Sequence, residues 1–257
     1  FLNNSTCKIK PNTTFWICTY NTRGCTKLEK RTIIDKWGND WKMWIMGLQE
    51  TKINSNSSSK TDNYYWFFSS NVKNEDRMKV SKLRSENKPI DLTTKQNAQE
   101  HLGVGIAIHK LLIQCVKVVK AISNRILVAT LEARPVIHII VAYAPQAYLD
   151  DSIKDKFWKD LKDTYNSFKA GEIRIILGDL NAKLLNEIDG LGNLIGKHIF
   201  KLEGYNIEDQ TDVVQNNRER MVEFCSEQNC SVINTMFEKP NKKLITHLHV
   251  GVNRETS

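Results

Sequence analysis

At 257 residues the chain is long enough for one large α/β domain and short for two well-formed ones. Its formal net charge of +8 and pI near 9.1 favour a polyanionic partner, because a basic surface concentrates phosphate-bearing ligands around itself. The six cysteines are scattered without a Cys-x-x-Cys pair, which argues against a zinc finger and for reduced thiols; no apolar stretch approaches the roughly 20 residues that cross a bilayer, so a soluble intracellular protein is the expectation.

Residues 1–13 are polar and rich in Asn and Thr, and read as a flexible tail ahead of a domain over 14–257. A first strand covers 15–20. A helix follows over 27–37, with Leu28, Ile33, Ile34 and Trp37 at amphipathic spacing. A second strand covers 44–48 and ends in Gln49-Glu50-Thr51. Residues 69–100 are charged and poor in large apolar side chains, the composition of a long surface loop. Strands resume over 103–108, 126–131 and 136–143, the last apolar throughout, as in a strand covered on both faces. Asp150 or Asp151 caps a helix to about Phe168, with Ile153, Phe157, Leu161, Thr164, Tyr165 and Phe168 on one face, and Gly171 stops it. Residues 173–177 give another strand, 218–228 a helix burying Met221, Phe224 and Cys225, and 231–235 a last strand.

Four polar clusters, Asn21, Glu50, Tyr143, and Asp179 with Asn181, each fall at the carboxyl end of an apolar strand, where α/β sheets gather functional groups. Taken singly, an Asn or Asp after a strand is a common turn residue. Their order carries more. The runs Thr19-Tyr20-Asn21-Thr22-Arg23, Leu48-Gln49-Glu50-Thr51, Ala142-Tyr143-Ala144-Pro145 and Gly178-Asp179-Leu180-Asn181 together resemble the endonuclease/exonuclease/phosphatase, or DNase I-like, superfamily. Within it the resemblance is nearest to the apurinic-type endonuclease domains of non-LTR retrotransposons and to craniofacial development protein two-like proteins. The later run from Asn217 to Cys225 and Ile233-Asn234-Thr235-Met236-Phe237 point the same way.

The resemblance implies a four-layered α/β sandwich of two mixed β-sheets flanked by helices. It also implies magnesium-dependent hydrolysis of DNA phosphodiesters, with manganese as a substitute ion. Asn21 and Glu50 would hold the metal, a neutral oxygen and a hard carboxylate being the donors magnesium accepts while keeping several waters. Asp179 would orient or deprotonate the attacking water, Asn181 would hydrogen-bond the phosphate, and Tyr143 would contact the scissile phosphate or the leaving oxygen. Arg23 stands where repair-type members often carry an aspartate; a phosphate contact and an exposed turn arginine both fit it. Thr246 matches a family position near the active site, while His247 and His249 alternate as on a surface strand and do not read as a metal pair.

Family members continue past this threonine to an Ile-Asp-Tyr-like strand and a Ser-Asp-His motif, and this sequence stops at Ser257. The expectation is therefore a domain without its last strands, a nuclease by descent with little activity of its own. A non-catalytic nucleic-acid or protein-binding remnant and a phosphatase of small or lipid phosphates stand as alternatives. DNA is the expected partner; no membrane and no obligate protein partner is implied, and the nucleus is the expected compartment.

Overall fold

The computed structural model describes residues 9, 13–70, 77–78, 102–184, 190–199 and 212–240. Strands form where apolar residues run together: β1 (Trp16–Asn21), β2 (Met43–Gln49), β4 (Tyr64–Ser69), β6 (Val104–His109), β8 (Ile126–Leu131), β9 (Ile137–Tyr143) and β10 (Ile173–Asp179). Between them lie β3 (Ser57–Lys60), β5 (Arg77–Met78) and β7 (Val116–Ser123). Among the described residues these build two mixed five-stranded sheets, ordered β1-β2-β6-β4-β3 and β10-β9-β8-β7-β5. In each sheet one edge pair is parallel, β1 with β2 and β10 with β9, and the other pairs are antiparallel.

The sheets face each other across a core of Ile45, Phe67, Ile106 and Ile108 from the first and Val119, Leu127, Ala129, Leu131, Ile139, Val141 and Leu177 from the second. Gly47 permits their close approach, since a β-carbon there would lie 2.7 Å from Leu177 Cβ. Helix α1 (Leu28–Asp40) covers the outer face of the first sheet, where Ile34 packs with Met46, Leu48, Tyr64, Trp66 and Phe68. Helix α2 (Asp151–Asn166) buries Phe157, Trp158, Leu161 and Thr164. Just beyond it, Phe168 stacks on His138 of β9 at 3.8 Å between centroids, which places this segment on the outer face of the second sheet. The layering is thus helix, sheet, sheet, helix.

Several elements differ from the expectation. The face of α1 turned inward is Arg31, Ile34, Asp35 and Gly38, while Leu28, Ile33 and Trp37 are 48%, 68% and 40% exposed. Polar residues can occupy that face because the Arg31 Nη1 and the Asp35 carboxylate find partners, although Arg31 Nε is buried without one among the described residues. Arg31 Nη1 donates to the carbonyls of Cys25 and Thr26 at 2.9 Å each, and Asp35 accepts the Asn63 backbone N–H at 2.9 Å, its side-chain amide at 2.7 Å and the Thr61 hydroxyl. On α2, Ile153 is exposed and Lys154 takes the buried position. Of the stretch expected as a loop, Ser69 ends β4 and Arg77–Met78 pairs with β7; the remainder lies outside the described residues apart from Ser70.

The chain divides into two compact units, Phe1–Pro145 with Asp151–Leu180, and Gln146–Asp150 with Asn181–Ser257. The first contains both sheets, and in it Ile9 donates its backbone N–H to Glu132 O at 2.9 Å and packs against the core. The second contains α3 (Asp212–Gln228), which buries Met221, Phe224 and Cys225. The strand expected over 231–235 is instead a single bridge, Ile195 to Val232, followed by a 3-10 turn, Ile233–Thr235. The Thr235 hydroxyl donates to Val232 O at 2.6 Å and accepts the Gly196 N–H at 2.7 Å, while the Thr235 carbonyl accepts the His198 N–H at 3.0 Å.

Candidate active site

Parallel pairing at both sheet edges brings β1, β2, β9 and β10 to finish at one end of the first unit. The period-2 alternation of a strand then selects which side chains face the gap between the sheets. On β9 these are Ile137, Ile139, Val141 and finally Tyr143; on β10, Ile175, Leu177 and finally Asp179. Asp179 is the register partner of Tyr143, and Asn21, which ends β1, is the partner of Gln49. Glycine at 178 allows this: a β-carbon there would lie 2.4 Å from Ala142 O.

Glu50 follows β2 with a left-handed φ of 49°, and Arg23 and Lys52 beside it share that conformation at 49° and 56°. Such a backbone costs about 1–3 kcal/mol per residue and persists where surrounding bonds impose it. Here they do. Thr22 N–H donates to Gln49 O (2.9 Å), Gly24 to Glu50 O (2.6 Å), Cys25 to Thr51 O (2.9 Å), and Thr51 and Lys52 to Gly103 and Leu102 carbonyls (3.0 Å each).

The result is a connected set of side chains from both sheets. Asn21 Nδ2 donates to Glu50 Oε1 at 2.7 Å and to Asp179 Oδ2 at 3.3 Å. Tyr143 Oη donates to the same Glu50 oxygen at 3.1 Å. Asn21 Oδ1 accepts the Arg23 backbone N–H at 3.1 Å. Burial, then the Glu50 charge and hydrogen bond, then the Asp179 charge push the Tyr143 phenol well above its ordinary range, and the Arg125 guanidinium opposes them. At neutral pH this hydroxyl is a donor and not a base.

Two carboxylates converging on one amide are hard donors of the kind a magnesium ion takes while keeping waters. Among the described residues no three of His, Cys, Asp and Glu converge as a ligand set. Glu50 can offer an oxygen to the ion as it stands, with the Asp179 carboxylate left beside it as a proton acceptor; Asn21 presents its nitrogen, so its amide must rotate to offer an oxygen. The residues present fit such an ion.

No protein-family model matches the chain. Craniofacial development protein 2 of Bos taurus is 22% identical over 169 residues, 65% of this chain and 26% of that protein. Its counterpart in Tragulus javanicus is 21% identical over 65% of this chain and 27% of that protein. The chain thus spans about a quarter of the length of the curated relatives it matches. Among solved structures, the AP endonuclease LMAP from Leishmania major is similar with a TM-score of 0.53 at 12% identity, over 84% of this chain and 67% of that one. The fold is that of the DNase I-like endonucleases.

Within this DNase I-like frame the structure brings together Asn21, Glu50, Tyr143 and Asp179. Arg23 is exposed at its side chain, its backbone N–H serving Asn21. Asn181 opens the second unit with a φ of 47°, and its carbonyl accepts the Asn217 amide at 3.0 Å. Thr246, His247 and His249 lie outside the described residues. His138 contacts Thr130 (3.0 Å) and Glu172 (2.9 Å), and His109 packs edge-on to Tyr64. Sequence reasoning missed Arg125, whose guanidinium sits over the Tyr143 ring at 5.5 Å; a lone arginine in a turn carries no signal of its own.

Proposed function

We propose that the chain carries the metal-holding and phosphate-positioning groups of a magnesium-dependent endonuclease that cleaves DNA phosphodiesters, with abasic or retrotransposon-target sites as its preferred substrates. The observation that carries this reading is the Asn21, Glu50, Asp179 and Tyr143 cluster, linked by hydrogen bonds across two sheets at one end of four strands. Glu50 and Asn21 would hold the ion, whose charge neutralises that developing on the phosphate. Asp179 accepts the proton of the attacking water, and a base so placed contributes about 10² to 10⁴-fold in rate. The protonated Tyr143 hydroxyl donates to a phosphate or leaving oxygen. The net charge of +8 supplies the attraction for a polyanion.

The test combines calorimetric titration with magnesium and nicking of supercoiled plasmid. Glu50→Gln should lose magnesium binding, and Asp179→Asn should keep binding while nicking falls by about 10² or more. Equal magnesium-dependent nicking by wild type and Glu50→Gln would refute the assignment. A second reading, a binding module without cleavage, is favoured by the basic charge alone; it predicts DNA binding that weakens steeply with salt and no nicking.

A further inference from the structure

We propose that Arg125 is a positioning residue for Tyr143, gripping it from the turn between β7 and β8 so that the phenol stays on Glu50. The inference rests on the site assignment above and adds to it a residue from outside its four strand ends.

Arg125 is held before its side chain is considered. Its backbone N–H donates to Ser123 Oγ at 3.2 Å, and its carbonyl accepts the Tyr143 N–H at 2.9 Å. The turn is tied down on both sides as well: Ser69 Oγ, from β4 in the other sheet, donates to Ser123 O at 2.5 Å, and Gly103 N–H donates to Asn124 O at 3.2 Å. From that anchored turn the guanidinium returns to the same tyrosine twice. Nη1 donates to Tyr143 O at 3.3 Å, and the guanidinium carbon lies 5.5 Å from the ring centroid, over its face. A planar cation with several N–H groups can hold a carbonyl and cover a ring at once, which a lysine ammonium does poorly.

The geometry makes Tyr143 a linker with both ends held. Arg125 grips its backbone and covers its ring, and Glu50 accepts its hydroxyl at 3.1 Å. Tyr143 is 2% exposed and Arg125 half-buried, so the cation covers the face of a buried ring from the edge of the core. Arginine here does more than fill space: a methionine of similar length would occupy the volume with neither the hydrogen bond nor the charge.

The experiment uses the full chain labelled at tyrosine Cζ and read by NMR, with plasmid nicking in magnesium as a second measurement. The Tyr143 resonance is identified by its loss in Tyr143→Phe, and its displacement in Glu50→Gln marks the hydroxyl contact. Arg125→Met should displace that resonance at neutral pH and lower nicking about tenfold, in kcat more than in KM, as a misaligned donor does. Arg125→Lys should return part of both. A Tyr143 resonance at the wild-type position in Arg125→Met, with the wild-type circular dichroism spectrum, overturns the proposal. Should Arg125→Met not fold, Arg125→Lys decides: a displaced resonance supports the proposal and an unmoved one overturns it. Absence of nicking by the wild type would count against the endonuclease reading alone, because the resonance test is independent of it.

Discussion

Replacing Gly178 by alanine tests the register that aligns the two β9 and β10 site residues. The added β-carbon would lie 2.4 Å from Ala142 O, 3.2 Å from Ala142 C and 3.5 Å from Ala142 Cβ. The nearest obstruction is backbone of the parallel neighbour, so no side-chain rotation relieves it. An ordinary contact needs about 1 Å more, and overpacking of this kind costs about 1–3 kcal/mol. The displaced rung, Gly178 with Ala142, lies between Leu177 with Val141 and Asp179 with Tyr143, so weakened ladder bonds put the cost near the upper end, about 3 kcal/mol. At about 2–4 °C per kcal/mol for a unit of this size, Tm should fall by about 6–12 °C. The assay is thermal unfolding followed by tryptophan fluorescence, with Gly192→Ala as the control. No atom lies within 4 Å of a β-carbon at 192, so that variant should stay within about 0.5 kcal/mol of wild type. A Gly178→Ala protein as stable as the control would refute the account of how β10 is seated. Because the same shift moves Asp179 away from Tyr143, nicking should fall by up to about 100-fold in the folded variant.

Asp35→Ala should cost about 3 kcal/mol or more by urea denaturation, since it strips three hydrogen bonds from the contact between α1 and the turn joining β3 to β4; Asp35→Asn should recover part of that. His109 is held below its ordinary value, first by burial and then by Lys110 against the opposing charge of Asp35, and its Nδ1 accepts the Leu111 backbone N–H at 3.3 Å. Its neutral form is therefore the folded form, so its contribution is complete above pH 6.5 and is lost as pH falls through the lower folded value. Tm measured downward from pH 7 should drop less steeply in His109→Gln than in wild type. Burial raises the thiols of Cys18, Cys25 and Cys225 to about 11, so at pH 7 an aromatic disulfide reagent should modify them only after denaturant is added; rapid modification of the native protein would contradict their packing.

Apolar runs announced their own strands. Residues 137–143 and 104–109 are apolar enough that no other placement hides them from water, and the sequence reading found both. It missed β3, whose Ser57-Ser58-Ser59-Lys60 run reads as a turn and becomes a strand only by pairing with β4. It also misjudged the buried face of α1, because Arg31 and Asp35 are hidden by partners that sequence spacing does not reveal.

The site divides along the same line. Sequence alone determined which groups end the strands, because turn chemistry and strand ends are local: Asn21, Glu50, Tyr143 and Asp179 were all legible there. Tertiary structure decided that Tyr143 and Asp179 are register partners, that one Asn21 amide bridges two carboxylates from different sheets, and that Arg125 lies over Tyr143. Those relations join residues up to 158 positions apart, and their distances depend on how two sheets are registered and packed, which no local pattern encodes.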